Sequence, residues 1–459
     1  MSDIASETEA GAFVRRQLVE ESAPPSTHRG IAGWARASLF SGPFNIALTV
    51  FSVLLIVLIV PPLVRFLFVD AVWEGSNRDA CVNASGACWP FIRAKFAQFV
   101  YGFYPIPERW RPNTVFALGA LLLAPLLIPR APFKAANAIL FFGIFPLIAF
   151  VLLTGGNLDL QRFLLGRFIP FDIFFGQTVF GLSISFWADY ILSAILLVQV
   201  AALLGQLLKG DPRGAATGAL RLFTLLGIVL FVFDIDFGLV PVETSSWGGL
   251  LVTLVVAVTG IVVSLPLGIL LALGRRSELP AVKAFSVIFI EFWRGVPLIT
   301  VLFFATYMLP LFLPGGLTID GLLRALIGVT LFAAAYMAEV VRGGLQAIPK
   351  GQFEGAAALG LSYWQSMRLI VLPQALTLVI PGIVNTFIGL FKDTTLVLIV
   401  AIFDFLGQIR ASFTDPNWST STTLFTGFAF GAVVYFIFCF GMSRYSLFVE
   451  RRLAEGRQR

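Results

Sequence analysis

Charge is scarce in this 459-residue chain. Asp, Glu, Lys and Arg make up 13% of it, against about a quarter in soluble domains. Hydrophobic residues reach 58% and the mean hydropathy is +0.89. A soluble core cannot hide that much apolar surface, so the chain reads as a polytopic membrane protein. Histidine is scarcer still. The single His28 lies in a polar tail, where a solvated role outweighs metal ligation or base catalysis, and no HExxH or GxSxG motif is present. The three cysteines, Cys81, Cys88 and Cys439, lack a basic partner. A membrane enzyme and a metal site are therefore both disfavoured. No G-x-x-x-x-G-K-[ST] loop is present to cradle a nucleotide phosphate. No internal repeat is visible, which counts against transporters built from two similar halves. The first 44 residues contain no apolar core, so they do not read as a cleaved signal peptide.

The apolar runs define the organisation. Residues 1–44 form a polar tail, followed by a first spanning segment at about 45–68. A long polar loop at about 70–112 carries Cys81 and Cys88, spaced so that a disulfide would close a small surface loop in an oxidising compartment. Cys439, in an apolar segment, reads as an inert core residue. Further spans fall near 113–129, 136–154, 186–208 and 216–234. Between two of them, residues 155–184 read as an amphipathic piece on the membrane surface, with Asn157, Asp159, Arg162, Arg167 and Asp172. After a short acidic connection, spans follow near 248–273, 284–312 and 322–345, then one starting near 374 and a last one at about 423–447. The apolar run 396–409 is too short to span alone and reads as a continuation or re-entrant piece. The 47 phenylalanines suit lipid-facing and interfacial surfaces.

About ten spans place both ends on one side. The tails and the loops at 130–135, 209–215, 274–283 and 342–373 then share that side and hold most of the Lys and Arg, including Arg275, Arg276, Lys283, Arg342, Lys350 and Arg368. The positive-inside rule makes it the cytoplasmic side. Cys81 and Cys88 fall outside, where a disulfide is allowed. The net charge of +6 is thereby a matter of topology and implies no nucleic-acid partner.

The stretch from Ala338 to Pro373 is the most informative. It is polar and rich in Gly and Ala, between two long apolar segments. The chain leaves the membrane, turns in water as a helical elbow, and re-enters. Gly343 and Gly344 are expected to loosen the preceding helix. Pro349 suits the first turn of a new helix, since its missing N–H is not needed there. Gly360 suits the left-handed position just past a helix end. Ser362 with Gln365 reads as a capping box opening a second short helix. Ala356, Ala357 and Ala358 give the first helix a surface almost without bulk, suited to a groove on another protein.

The order Glu354-Gly355-Ala356, three residues, Gly360, nine residues, Ile370, one residue, Leu372-Pro373 resembles the EAA loop of the membrane subunits of binding-protein-dependent ABC importers. Gly355 stands where Ala is usual. The resemblance extends through WGGLLVTL at 247–254, LALGRR at 271–276, EFWRGVPL at 291–298 and LFKDTTLV at 390–397, phrases similar to the polar amino-acid permeases. The N-terminal extension, with CWPFIRAKFAQFVYGFYPIPERWRPN at 88–113, looks like the M-type subunit of general L-amino-acid and glutamate/glutamine/aspartate/asparagine importers.

The resemblance implies an all-α integral membrane fold with a C-terminal five-helix permease core, residues 247–449, and cytoplasmic coupling helices. An extension at 45–235 and a basic tail at 450–459 flank it. It further implies a bacterial inner-membrane location and the import of L-amino acids. The implied partners are a second homologous permease subunit, an ATP-binding subunit dimer carrying ATP and Mg, an external solute-binding protein, and membrane lipid. Glu354, Gly355, Ala356, Ala357, Ala358 and Gly360 take the coupling role.

Charges near the membrane centre usually face a cavity or a partner. The candidates for a substrate path are Glu291, Arg294, Glu339, Arg342, Asn385, Lys392, Asp393 and Thr394. A zwitterion needs a cation for its carboxylate and an acceptor for its ammonium. Glu291/Arg294 and Glu339/Arg342 are also i,i+3 pairs, which serve mutual neutralisation equally well. Asn385, Thr394 and Thr395 can offer hydrogen bonds to a ligand or cap a helix break. Pro297 and Pro381 suit kinks in a gating helix. The alternative reading is an ion-coupled secondary amino-acid transporter, which would use these carboxylates for coupling and need no ATPase.

Overall fold

The computed structural model describes residues 30–128, 130–155, 238–312 and 320–457, with a few positions between 199 and 218. The expected spans near 186–208 and 216–234, all but a few positions of them, the amphipathic piece at 155–184 and the first 29 residues of the tail, with His28, lie outside the described residues. Among those described, the chain is helical without strands. Two compact units are present. One comprises residues up to Ala71 with Ser85–Ala87, the other Val72–Ala84 with Cys88 onward.

The first unit is built on one long helix, Pro43–Val69, apolar on every side. Such a helix belongs in lipid, where its backbone is satisfied internally and no face seeks water.

The second unit holds the remaining spans. Seven described helices are long and apolar enough to cross a membrane, and a bent pair makes an eighth. They are Pro43–Val69, Ile106–Leu127, Ala136–Thr154, Gly249–Arg275, Gly321–Gln346, Ile380–Val400 and Thr423–Leu453. The eighth corrects one expectation. The segment read as a single span at 284–312 consists of Pro280–Gly295 and Leu298–Phe312, bent by 100°. Pro297 explains the break. It holds Val296 extended at φ −109°, ψ 134° and offers no N–H to continue the helix.

Small residues let the core spans approach closely. Ala333, Ala334, Ala335 and Ala338 are buried along Gly321–Gln346. A Cβ on Gly268 would lie 2.7 Å from the Met337 side chain, so the first and third core spans touch there. Gly344 corrects a second expectation. It does not loosen its helix, which continues to Gln346. A Cβ there would lie 2.6 Å from the Ala375 carbonyl oxygen, so Gly344 permits a close helix crossing. The run after Asp393 continues as a 3-10 helix, Thr394–Val400, ended by Ala401 in the left-handed region at φ 60°. The short helix Phe405–Ala411, called the seat helix below, follows. Cys439 is only partly buried on the last span, not enclosed in the core as expected.

The unit has two distinct ends. One gathers the helix Trp89–Tyr101 (the cap helix), Trp247, Asp320 and the seat helix. The other gathers the end of Gly249–Arg275, the end of Gly321–Gln346 and the elbow. Its apolar filling comprises Ala272, Met337, Val341, Leu345, Ile348, Met367 and Val371.

Candidate functional site

The elbow forms as its breakers direct. Its first helix runs Lys350–Ala358 with Pro349 at the N-cap. Gly360 lies at φ +69°. Its N–H donates to the Ala357 carbonyl at 2.9 Å, and the Leu361 N–H to the Ala356 carbonyl at 3.1 Å. This paired closure leaves few orphan carbonyls at the helix end. No atom lies within 4 Å of a Cβ placed on Gly360, so only its backbone conformation requires glycine there. Ser362 opens the helix Tyr363–Ser366 with a complete capping box. The helical path continues through a π-turn, Met367–Val371, into Leu372–Leu378.

Glu354, Gly355, Ala357 and Ala358 are exposed. Ala356 is not on that surface. It is 2% exposed and holds the elbow helix onto its own chain. Leu359, Tyr363 and Trp364 add apolar area beside the exposed alanines, at 76%, 51% and 67% exposure. A cavity of about 300 Å³ opens between Arg276, Phe353, Ala357, Leu361, Tyr363 and Met367. The Arg276 guanidinium stands 5.5 Å from the Phe353 ring centre and donates to the Leu345 carbonyl at 3.2 Å. Gln374 donates to Gln352 at 3.0 Å. The elbow is thus tied to the first core span by a cation and to the following helix by an amide.

Four of the predicted path residues converge. Glu339 accepts from Arg342 at 2.9 and 2.7 Å and from Arg275 at 3.0 Å. Arg275 also donates to Glu291 at 2.9 Å. Arg294 lies 3.9 Å from Glu291 and 3.8 Å from Glu339, with its guanidinium 5.8 Å from the Tyr336 ring centre. Three arginines and two glutamates from three helices form one cluster, beside the break at Pro297. The i,i+3 reading holds within each helix, but Arg275 joins the pairs across helices. The LALGRR phrase contained both arginines. Pairing across helices is invisible to periodicity, so the sequence places Arg275 and Arg276 among the cytoplasmic-side charges and not on the path.

The other candidates stand apart from this cluster, on the fourth core span. Asn385 and Lys392 are exposed, and Asp393 is half-buried. Neither charge joins an ion pair among the described residues. Thr394 is fully buried and donates to the Phe391 carbonyl at 2.9 Å. Thr395 donates to the Lys392 carbonyl at 2.9 Å. Both hydroxyls cap the change from α to 3-10 geometry. Pro381 lies in the first turn of Ile380–Asp393, just after the irregular Val379.

The opposite end carries polar groups that the sequence did not single out. Asp404 is fully buried. It caps the seat helix through the Gly407 N–H at 2.9 Å and accepts from the Tyr435 hydroxyl at 3.1 Å. Burial pushes its carboxyl above the ordinary value, and these donors offset part of the rise. Asp415 is held below the ordinary value, first by its hydrogen bond with Lys95 and then by the Asn417 N–H. The sulfurs of Cys81 and Cys88 are 1.96 Å apart, forming a disulfide.

Residues 264–455 match the family described as "Binding-protein-dependent transport system inner membrane component". The inner membrane amino-acid ABC transporter permease protein YhdY of Escherichia coli is 41% identical over 435 residues, covering 94% of this chain and 96% of that protein. The glutamate/glutamine/aspartate/asparagine transport system permease protein BztC of Rhodobacter capsulatus is 43% identical over 454 residues, covering 96% and 98%. The glutamate/aspartate import permease protein GltK of Escherichia coli is 32% identical over 229 residues, 49% of this chain and 100% of its own. With two relatives matched over nearly its whole length, this chain belongs to the family of binding-protein-dependent transport inner-membrane components, among its amino-acid ABC transporter permeases.

Proposed function

We propose that this permease works as one of a pair in an ATP-driven importer of polar L-amino acids, the acidic ones and their amides foremost. ATP is hydrolysed on separate ATP-binding subunits, and a solute-binding protein delivers the substrate from outside. The elbow carries this reading. Its exposed Glu354, Gly355, Ala357 and Ala358 offer a low-bulk surface for the ATP-binding subunit, and Gly360 sets the turn that presents it. The positive-inside count supports a cytoplasmic elbow and cytoplasmic termini.

The coupling route runs through adjacent residues. When the ATP-binding subunits close, the elbow helix moves with them. Phe353 and the Leu345 carbonyl bear on Arg276. The neighbouring Arg275 holds Glu291 and Glu339, so displacement at the elbow reaches the broken span and the third core span together. The cluster carries one cation in excess of its carboxylates. It suits a path for zwitterions, with Arg294 the arginine least committed to a partner; Asn385, Lys392 and Asp393, on the fourth core span, offer a second polar stretch for the substrate.

The test is uptake of labelled glutamate, glutamine, aspartate and asparagine into vesicles holding the permease with its co-purified partners. The reading expects accumulation only with ATP and solute-binding protein. Uptake by this chain alone, driven by an ion gradient and indifferent to ATP, would establish the secondary-transporter alternative.

A further inference from the structure

The cap helix Trp89–Tyr101 lies outside the stretch that matches the family, residues 264–455. It is nevertheless built into the core. Phe91 and Phe99 share one buried cluster with Cys81, Cys88, Phe405, Ile409 and Trp418. Gln98 donates to the fully buried Gln408 of the seat helix at 3.1 Å. Lys95 pairs with Asp415. The Cys88 N–H donates to Thr426 of the last span at 2.9 Å. Backbone meets backbone where the helix ends, since a Cβ on Gly102 would lie 2.5 Å from Gly248. The seat helix is held equally firmly from the other side. The Phe405 N–H donates to Thr253 of the first core span at 2.9 Å, and Asp404 receives Tyr435 of the last span.

A surface that opens and closes in each cycle must tolerate water and shed its hydrogen bonds at small cost. This contact has a buried aromatic centre with an amide bond and an ion pair at its edge, and a disulfide closes the loop that leads into it. We propose that the cap helix is a permanent brace, with Lys95 and Gln98 as positioning residues. It holds the cap ends of the first and last core spans to the seat helix as one body throughout transport. Alternating access then comes from the elbow end and the broken span moving against that body. The inference rests on the transport cycle proposed above.

Two measurements on the whole complex decide it. In the first, Lys95→Cys and Asp415→Cys, at the partly exposed rim, are joined by a short bifunctional methanethiosulfonate. Joined complexes should take up labelled glutamate within twofold of the wild type. Uptake stopped by the link and restored by reductant, with wild type given the same reductant as control, would overturn the brace. In the second, amide exchange over Phe405–Ala411 should be equally slow in nucleotide-free and ATP-trapped complexes, and faster exchange in either state would overturn it. This readout needs no substrate, so failure of the brace is distinguishable from failure of transport. Gln98→Ala with Lys95→Ala should quicken that exchange and reduce uptake at least fivefold; unchanged exchange would show the cap helix to be a passive cover.

Discussion

Glu339 is the hub of the charge cluster, and its removal has a calculable consequence. Three arginines and two glutamates sum to +1; Glu339→Gln makes the sum +2. The carboxylate accepts three hydrogen bonds, at 2.7, 2.9 and 3.0 Å. Charge-assisted bonds contribute about 1.5–3 kcal/mol each, but bonds to one carboxylate are not additive and glutamine keeps one acceptor. Breaking a buried ion pair from one side costs about 3–5 kcal/mol. The Glu339 side chain is 17% exposed and its arginines more so, which places the expectation between surface and buried pairs, about 1–3 kcal/mol. Glu291 is the internal control. It is 54% exposed and its neutralisation should cost less than about 1 kcal/mol. The assay is thermal unfolding of the purified complex in detergent, alongside uptake. Equal melting of E339Q and E291Q would refute the hub, as would E339Q matching the wild type.

Other expectations follow from single contacts. Gly268→Val pushes a branched side chain into Met337, 2.7 Å from the new Cβ, and should destabilise the complex by about 1–3 kcal/mol or more; a wild-type melting temperature would contradict that crossing. Ser362→Ala removes the hydroxyl that accepts from Gln365 N at 3.4 Å, a long bond, so the elbow should lose only about 0.5–1 kcal/mol, read as faster amide exchange over Tyr363–Val371. Asp415 has a depressed folded value, so its pairing with Lys95 adds stability that is complete above the unfolded carboxyl value, roughly 3.9, and is lost as the pH falls through the lower folded value. Seat-helix exchange in the wild type should therefore quicken in that acid window, whereas D415N should begin faster and show no such step. Asp404, whose value burial raises, titrates at higher pH and with the opposite sign, so the two are separable. A flat wild-type profile through the window would contradict the Lys95 pairing.

Local chemistry was legible in the sequence wherever it was sufficient. Ser362 with Gln365 and the lone Gly360 dictate the elbow because capping and left-handed geometry involve only near neighbours. Apolar runs of about twenty residues mark spans because lipid forces helices to satisfy their own backbone. What depends on two distant segments was not legible. Gly344 read as a weak point in a helix, yet its role is set by Ala375 on another helix. Ala356 belonged to a small-residue run, but helical rotation turns it inward. Pro297 suggested a kink, but the 100° size of the bend is not encoded in the proline alone. Asp404 and Gln408 carry no local sign of burial; they are buried because distant segments meet there, Tyr435 at Asp404 and Gln98 at Gln408.

The most direct test of coupling through the elbow is to measure uptake and ATP hydrolysis in the same vesicles for the wild type and Gly360→Val. A Cβ at residue 360 meets no atom of this chain within 4 Å, so within the chain the change acts by straining a left-handed residue, by about 1–2 kcal/mol. ATP-dependent amino-acid uptake in the wild type, lost in the variant together with its stoichiometric link to ATP hydrolysis, is the predicted result. Undiminished ATP-driven uptake by Gly360→Val, at the wild-type ratio to hydrolysis, would contradict it.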